Sequence, residues 1–225
     1  MHATSSENEI RPGWLEVAVG QAVYLALIVV IGVSMLQMPD EQAAIRGIFG
    51  MAANGVAGGL ALLAAWIVRI RNFRAFGFCA VEQKWLAAGI GLGLLAFGLS
   101  FAIEGIYFMF VTEPNTQTDF QAAATAGPVS LIVLVVTGAL FTPFGEEVLF
   151  RGVIANALNR YGPWAGIVGS AAIFGVVHGP SVILLDAFMV GVLTGYLFRK
   201  TNSLWPAIVV HVIYNGAHLL HYAMP

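Results

Sequence analysis

The sequence predicts an all-α integral membrane protein, a polytopic bundle of about seven transmembrane segments, and three observations carry that prediction. Of the 225 residues, 59% are hydrophobic and only 10% are charged, whereas a soluble globular domain carries about 25% charge. The apolar residues fall in successive stretches near the length that crosses a bilayer, about 20 residues each. None of the stretches shows the alternating strand pattern of a membrane barrel. Within hydrocarbon that leaves helices to satisfy the backbone.

The elements follow in order as apolar segments at 14–36, 48–68, 85–110, 129–158, 164–178, 181–198 and 204–222. The first is preceded by the polar stretch Met1 to Pro12, which carries Glu7 and Glu9 instead of a basic cluster. It therefore reads as a retained anchor and not as a cleaved signal peptide. The second and third hold the glycine clusters Ala57-Gly58-Gly59 and Gly89-Ile-Gly-Leu-Gly93. Small residues let membrane helices approach closely, so these are packing surfaces. None precedes a strand or carries a Lys-Ser/Thr pair, so phosphate binding has little support. The polar stretch 111–127 is the longest candidate for an external, mobile loop. The fourth segment carries charged residues within its apolar run, in the stretch from Thr142 to Gly152, and the short fifth and sixth are separated by Gly179-Pro180. The whole reads as one integral membrane domain, with N-terminal helices in 1–128 and the chemistry-bearing helices in 129–225.

Lys and Arg collect on the cytoplasmic side of membrane proteins. A cytoplasmic N-terminus places Arg11, Arg69, Arg71, Arg74, Lys84, Arg160, Arg199 and Lys200 there, with Arg46 outside and Arg151 within a span. The expected location is the cell membrane, the cytoplasmic membrane if the cell is bacterial. The net charge of −2 is small and scattered, which excludes nucleic acid as a partner. Cys79 is the sole cysteine, so neither an internal disulfide nor a paired-cysteine metal motif can form.

A charge inside a span costs about 2.5 to 3.5 kcal/mol on insertion scales and is usually paired and functional. Glu146 and Glu147 stand side by side in the fourth segment, and Arg151 follows Glu147 at i+4, acid before base on one helix face. Glu146, rotated by roughly 100° around the helix, points elsewhere. Such a pair divides its work, one carboxylate held by the arginine and the other available for proton transfer. Alone, the pair is equally compatible with a lock between two helices. Pro143 and Gly145 lie just before it, and a proline frees a backbone carbonyl and kinks the helix. Phe174 and His178 follow at i, i+4, with the Gly179-Pro180 break directly after the histidine. His211 and Asn215 share one helix face, and His218 extends it by a turn. Three apolar segments thus each present polar groups fit for one shared site. Such a site can activate a water on a carboxylate, relay its proton through histidine and stabilise an oxyanion with His or Asn donors.

These residues resemble the CAAX protease and bacteriocin-processing family, which includes the type II CAAX prenyl endopeptidases. The family pattern is Glu-Glu-x-x-x-Arg, Phe-x-x-x-His and His-x-x-x-Asn/Asp. Here it reads Glu146-Glu147-Val-Leu-Phe-Arg151, Phe174-Gly-Val-Val-His178 and His211-Val-Ile-Tyr-Asn215, with Ser203-Leu-Trp-Pro206 leading into the third motif. The resemblance implies an intramembrane endopeptidase acting on peptide or protein substrates within the lipid bilayer. Glu146 with His178 would activate the water, His211 and Asn215 would stabilise the oxyanion, and Glu147 and Arg151 would orient the site. Phe174 is assigned to substrate contact. No His-Glu-x-x-His zinc pair is present, so the expected chemistry needs no cofactor or metal. A glutamate and two histidines from three helices are nevertheless a donor set that zinc accepts. The competing reading is a non-catalytic scaffold or immunity and regulatory protein of the same family. Proton-coupled transport is disfavoured because the buried polar residues concentrate in one half of the chain.

Overall fold

The computed structural model describes residues 11–224, and the polar N-terminal stretch up to residue 10 lies outside the described residues. Among the described residues, two short 3₁₀ turns aside, eight helices follow one another, α1 Trp14–Leu36, α2 Ala43–Val68, α3 Gln83–Tyr107 and α4 Thr118–Thr125, then α5 Pro128–Tyr161, α6 Ala165–Val177, α7 Val182–Thr201 and α8 Leu204–Tyr222. Among the described residues there is no strand. All seven expected segments occur as helices. Five of them, α1, α2, α3, α5 and α7, are long and apolar enough to cross a membrane. The count of seven spans is not reached because α6 is a short apolar helix and α8 interrupts its apolar run with three histidines and Asn215. The protein is a multi-pass helical membrane bundle. Its outward faces carry exposed Val29, Val33, Leu94 and Ile132, as helices do whose solvent is lipid.

Helix α5 is the axis of the bundle. It packs on α2, α6 and α8, while α1 packs on α2 and reaches α5 where the Tyr24 ring meets Phe150, and α3 packs on α8 and α7. The α2–α5 contact is backbone against backbone. A Cβ added to Gly58 would overlap the carbonyl of Gly145, and one added to Gly55 would lie 2.6 Å from the carbonyl oxygen of Phe141. Any side chain at these glycines would push α2 off the segment that bears the two glutamates.

The stretch 111–127 departs from the loop expected of it. Its second half forms α4, and Asp119 there receives two hydrogen bonds from Arg46 of α2, at 2.6 and 2.8 Å. Its first half is held by Glu113, which accepts from Tyr107 Oη at 2.8 Å and from the Val182 amide at the start of α7 at 3.0 Å. The other end of the bundle is basic. The Arg160 guanidinium donates to the Pro12 carbonyl at 2.7 Å, Arg69 grips Glu16 through two bonds of 2.9 Å, and the Leu204 amide donates to the Gly77 carbonyl. These contacts gather Arg69, Arg71, Arg74, Arg160, Arg199 and Lys200 at one end.

Candidate active site

Helix α5 is not uniform. A π-helical turn, Val136–Phe141, precedes the α-helical Thr142–Leu149, and a second, Phe150–Ala155, follows it. Pro143 explains one unusual bond next to the first turn. The Thr142 amide donates to the Thr137 carbonyl, one residue farther back than in an α-helix. The Gly138 carbonyl then has Pro143 as its counterpart, and proline has no N–H. Asn215 of α8 supplies the missing donor, with Nδ2 3.0 Å from the Gly138 oxygen. The N–H that Pro143 lacks is thereby replaced by the side-chain amide of Asn215, which this bond orients. The Thr142 hydroxyl donates to the Met51 carbonyl of α2 at 2.7 Å, so it does not satisfy the group freed within its own helix.

Glu146 and Glu147 leave the helix in different directions, as their spacing requires. Glu147 points into the protein, fully buried, where its Oε2 lies 3.2 Å from Arg151 Nε and its Oε1 2.9 Å from His211 Nδ1. The Arg151 guanidinium, also fully buried, stacks 4.7 Å from the centre of the Phe174 ring. Arg151 therefore packs between a carboxylate and an aromatic face, where a planar cation is best accommodated.

Glu146 faces a cavity of about 330 Å³ together with Asn54, Thr142, His178, His211 and Asn215. The two histidines are oriented alike. His178 is bound through Nδ1 to the Phe174 carbonyl at 2.7 Å, leaving Nε2 3.8 Å from Glu146 Oε1. His211 is bound through Nδ1 to Glu147, leaving Nε2 3.5 Å from Glu146 Oε2. A carbonyl or carboxylate oxygen only accepts, so Nδ1 carries a proton in both rings and Nε2 is the nitrogen turned toward Glu146 and the cavity. The rings differ in access. The His178 side chain is 25% exposed, against 5% for His211. Helix α6 ends at His178, and the chain turns there through Gly179 at φ 82°, a left-handed conformation that favours glycine. The expected break therefore leaves the imidazole at the end of a helix and at the edge of the cavity.

Of the six residues expected in the site, Glu146, His178, His211 and Asn215 line the cavity, while Glu147 and Arg151 lie behind it. Phe174 borders the cavity at 1% exposure, its ring packed against Arg151, His178 and His211. Sequence reasoning missed Asn54 and Tyr24. Asn54 Nδ2 donates to Glu146 Oε1 at 2.8 Å, and its Oδ1 accepts from the Tyr24 hydroxyl at 2.8 Å. A lone Asn among the alanines and glycines of an apolar helix is the signal that could have found it. Among the described residues, no group of three His, Cys, Asp or Glu side chains is arranged to hold a metal ion.

Residues 128–217 match the family model described as type II CAAX prenyl endopeptidase, Rce1-like, a stretch that contains all six motif residues. A protein of Bacillus subtilis named "Putative membrane peptidase YdiL" is 29% identical over 133 residues, covering 58% of this chain and 52% of the relative. The chain thus spans about half the length of that curated relative. No solved structure matches.

Proposed function

We propose that the chain, whose residues 128–217 match the type II CAAX prenyl endopeptidase family model, is a membrane endopeptidase of that family that hydrolyses peptide bonds of membrane-associated substrates with a water activated by Glu146. The observation that carries this reading is the convergence of two Nε2 atoms on one carboxylate, at 3.8 and 3.5 Å, inside a cavity of the membrane bundle.

Glu146, oriented by Asn54, takes a proton from a water that His178 Nε2 also contacts, and the oxygen attacks the scissile carbonyl carbon. The C=O π pair moves onto oxygen as the C–O bond forms. The developing oxyanion receives hydrogen bonds from protonated His211 and from the Asn215 amide hydrogen not given to Gly138. The oxyanion pair then re-forms the C=O bond as the C–N bond breaks, and Glu146 returns its proton to the leaving nitrogen. Glu147 and Arg151 position His211, and Phe174 holds His178 and lends the substrate an apolar wall. In this reading no metal takes part. With the basic end at the cytoplasm, the cavity opens toward the opposite face, through the polar residues 113–117.

The test is purified protein in vesicles incubated with a peptide library, products being read by mass spectrometry with and without a chelator. Cleavage that survives chelation and is lost on His178→Ala is the expected result. Cleavage abolished by chelation and restored by zinc would overturn the metal-free step. A folded protein that cleaves nothing would favour the scaffold.

A further inference from the structure

The cavity contains a carboxylate that the reaction above does not use. Asp186 of α7 lies on the same cavity wall set as Glu146 and Glu104, is 2% exposed, and has no hydrogen-bond partner at either Oδ1 or Oδ2. A buried carboxylate without a partner is a costly arrangement. Four acids are buried among the described residues, Glu16, Glu146, Glu147 and Asp186. Arg69 answers Glu16, Asn54 answers Glu146, and His211 with Arg151 answers Glu147. Only Asp186 has nothing.

The surroundings say what would answer it. Glu104, Glu113, Glu146 and Asp186 line the cavity and an adjoining vestibule of about 840 Å³, and neither lining includes a Lys or Arg. The nearby His218 gives Nε2 to the Ser100 hydroxyl, which in turn donates to the Phe97 carbonyl. Most of the protein's own cations sit at the far end of the bundle. An acidic, low-dielectric channel attracts and selects positive charge. Phe120, Ile183, Ala187 and Val190 line the same cavity, and such walls suit the hydrocarbon stem of an organic cation whose charged head meets the acids.

We infer that Asp186, with Glu104, forms a subsite that receives a lysine or arginine side chain of the substrate and sets the residue preference of the site. The inference rests on the peptidase reading, which makes the occupant a peptide. Asp186 touches no reacting atom in this arrangement. It is a specificity-determining residue.

The experiment measures binding and needs no turnover. Glu146→Gln protein in detergent is titrated with peptide pairs that differ only in lysine against norleucine, the residue being moved along the peptide. At one position the lysine peptide is expected to bind about ten- to hundredfold more tightly. The isosteric Asp186→Asn in the same background removes that difference and leaves the norleucine affinity unchanged. Asp186→Arg reverses it, favouring a glutamate peptide. Equal binding at every position, no binding of either peptide, or a lysine preference that survives Asp186→Asn would overturn the subsite. Failure of the peptidase reading is visible separately, as absent cleavage by wild-type protein whose lysine preference in binding persists.

Discussion

Replacing Asn54 with alanine isolates the contribution of a residue that touches the proposed catalytic carboxylate from a different half of the chain. Asn54 Nδ2 lies 2.8 Å from Glu146 Oε1, and Tyr24 donates to the same amide at 2.8 Å. Hydrogen bonds to charged groups contribute about 1.5–3 kcal/mol. Since about 1.4 kcal/mol is tenfold in rate, Asn54→Ala is expected to lower kcat/KM by about 10- to 150-fold. KM should change little, because the bond orients the base and does not hold substrate. Tyr24→Phe leaves the Asn54–Glu146 bond in place and should cost less than about tenfold. In the Asn54→Ala background the Tyr24 change should cost nothing further, since it acts only through the amide. The assay is peptide cleavage in vesicles, with thermal unfolding followed in parallel to separate inactivation from misfolding. Asn54→Ala protein of unaltered stability whose kcat/KM stays within about twofold of wild type would refute the reasoning, because an orienting bond to the base cannot be removed at no cost.

Three further outcomes follow from the same packing. Pro143→Ala restores an N–H to which the Gly138 carbonyl can bond in place of Asn215, so kcat/KM should fall about three- to tenfold, the value of one hydrogen bond, with no loss of thermal stability. Gly58→Ala forces a methyl group onto the Gly145 backbone; overpacking costs about 1–3 kcal/mol, visible as a lower Tm, and activity should fall with it because Asn54 lies one turn away on α2. Arg151→Ala strips the fully buried Glu147 of its cation, which should cost about 3–5 kcal/mol of stability and lower the yield of folded protein.

The helices and their order were legible because a bilayer demands long apolar runs, and each run is continuous in sequence. The three motif clusters were legible for a related reason, since polar residues stand out against such runs. Asn54 escaped because its meaning lies in a contact with Glu146, ninety-two residues away, and no local spacing announces it. The role of Pro143 was only half legible. A proline predicts a freed carbonyl, but that Asn215 answers it depends on the π-turn and on where α8 packs. The segment 111–127 looked like a free loop because Asp119 and Glu113 are ordinary polar residues until Arg46 and the α7 amide are brought to them. The side chains of Glu147 and Glu146 separate in space as the helical rotation between them predicts, one toward Arg151 and one toward the cavity.

The most direct measurement is the single-turnover cleavage rate of Glu146→Gln beside wild type, on the peptide that wild type cleaves best. Glutamine keeps the shape of the side chain and can still accept from Asn54, but it cannot take a proton from water. A rate lowered by at least about a thousandfold, in protein that unfolds at the wild-type temperature, is the predicted result, in line with loss of a general base that also returns its proton to the leaving group. A Glu146→Gln protein that cleaves at the wild-type rate would contradict the assignment of the water-activating role to Glu146.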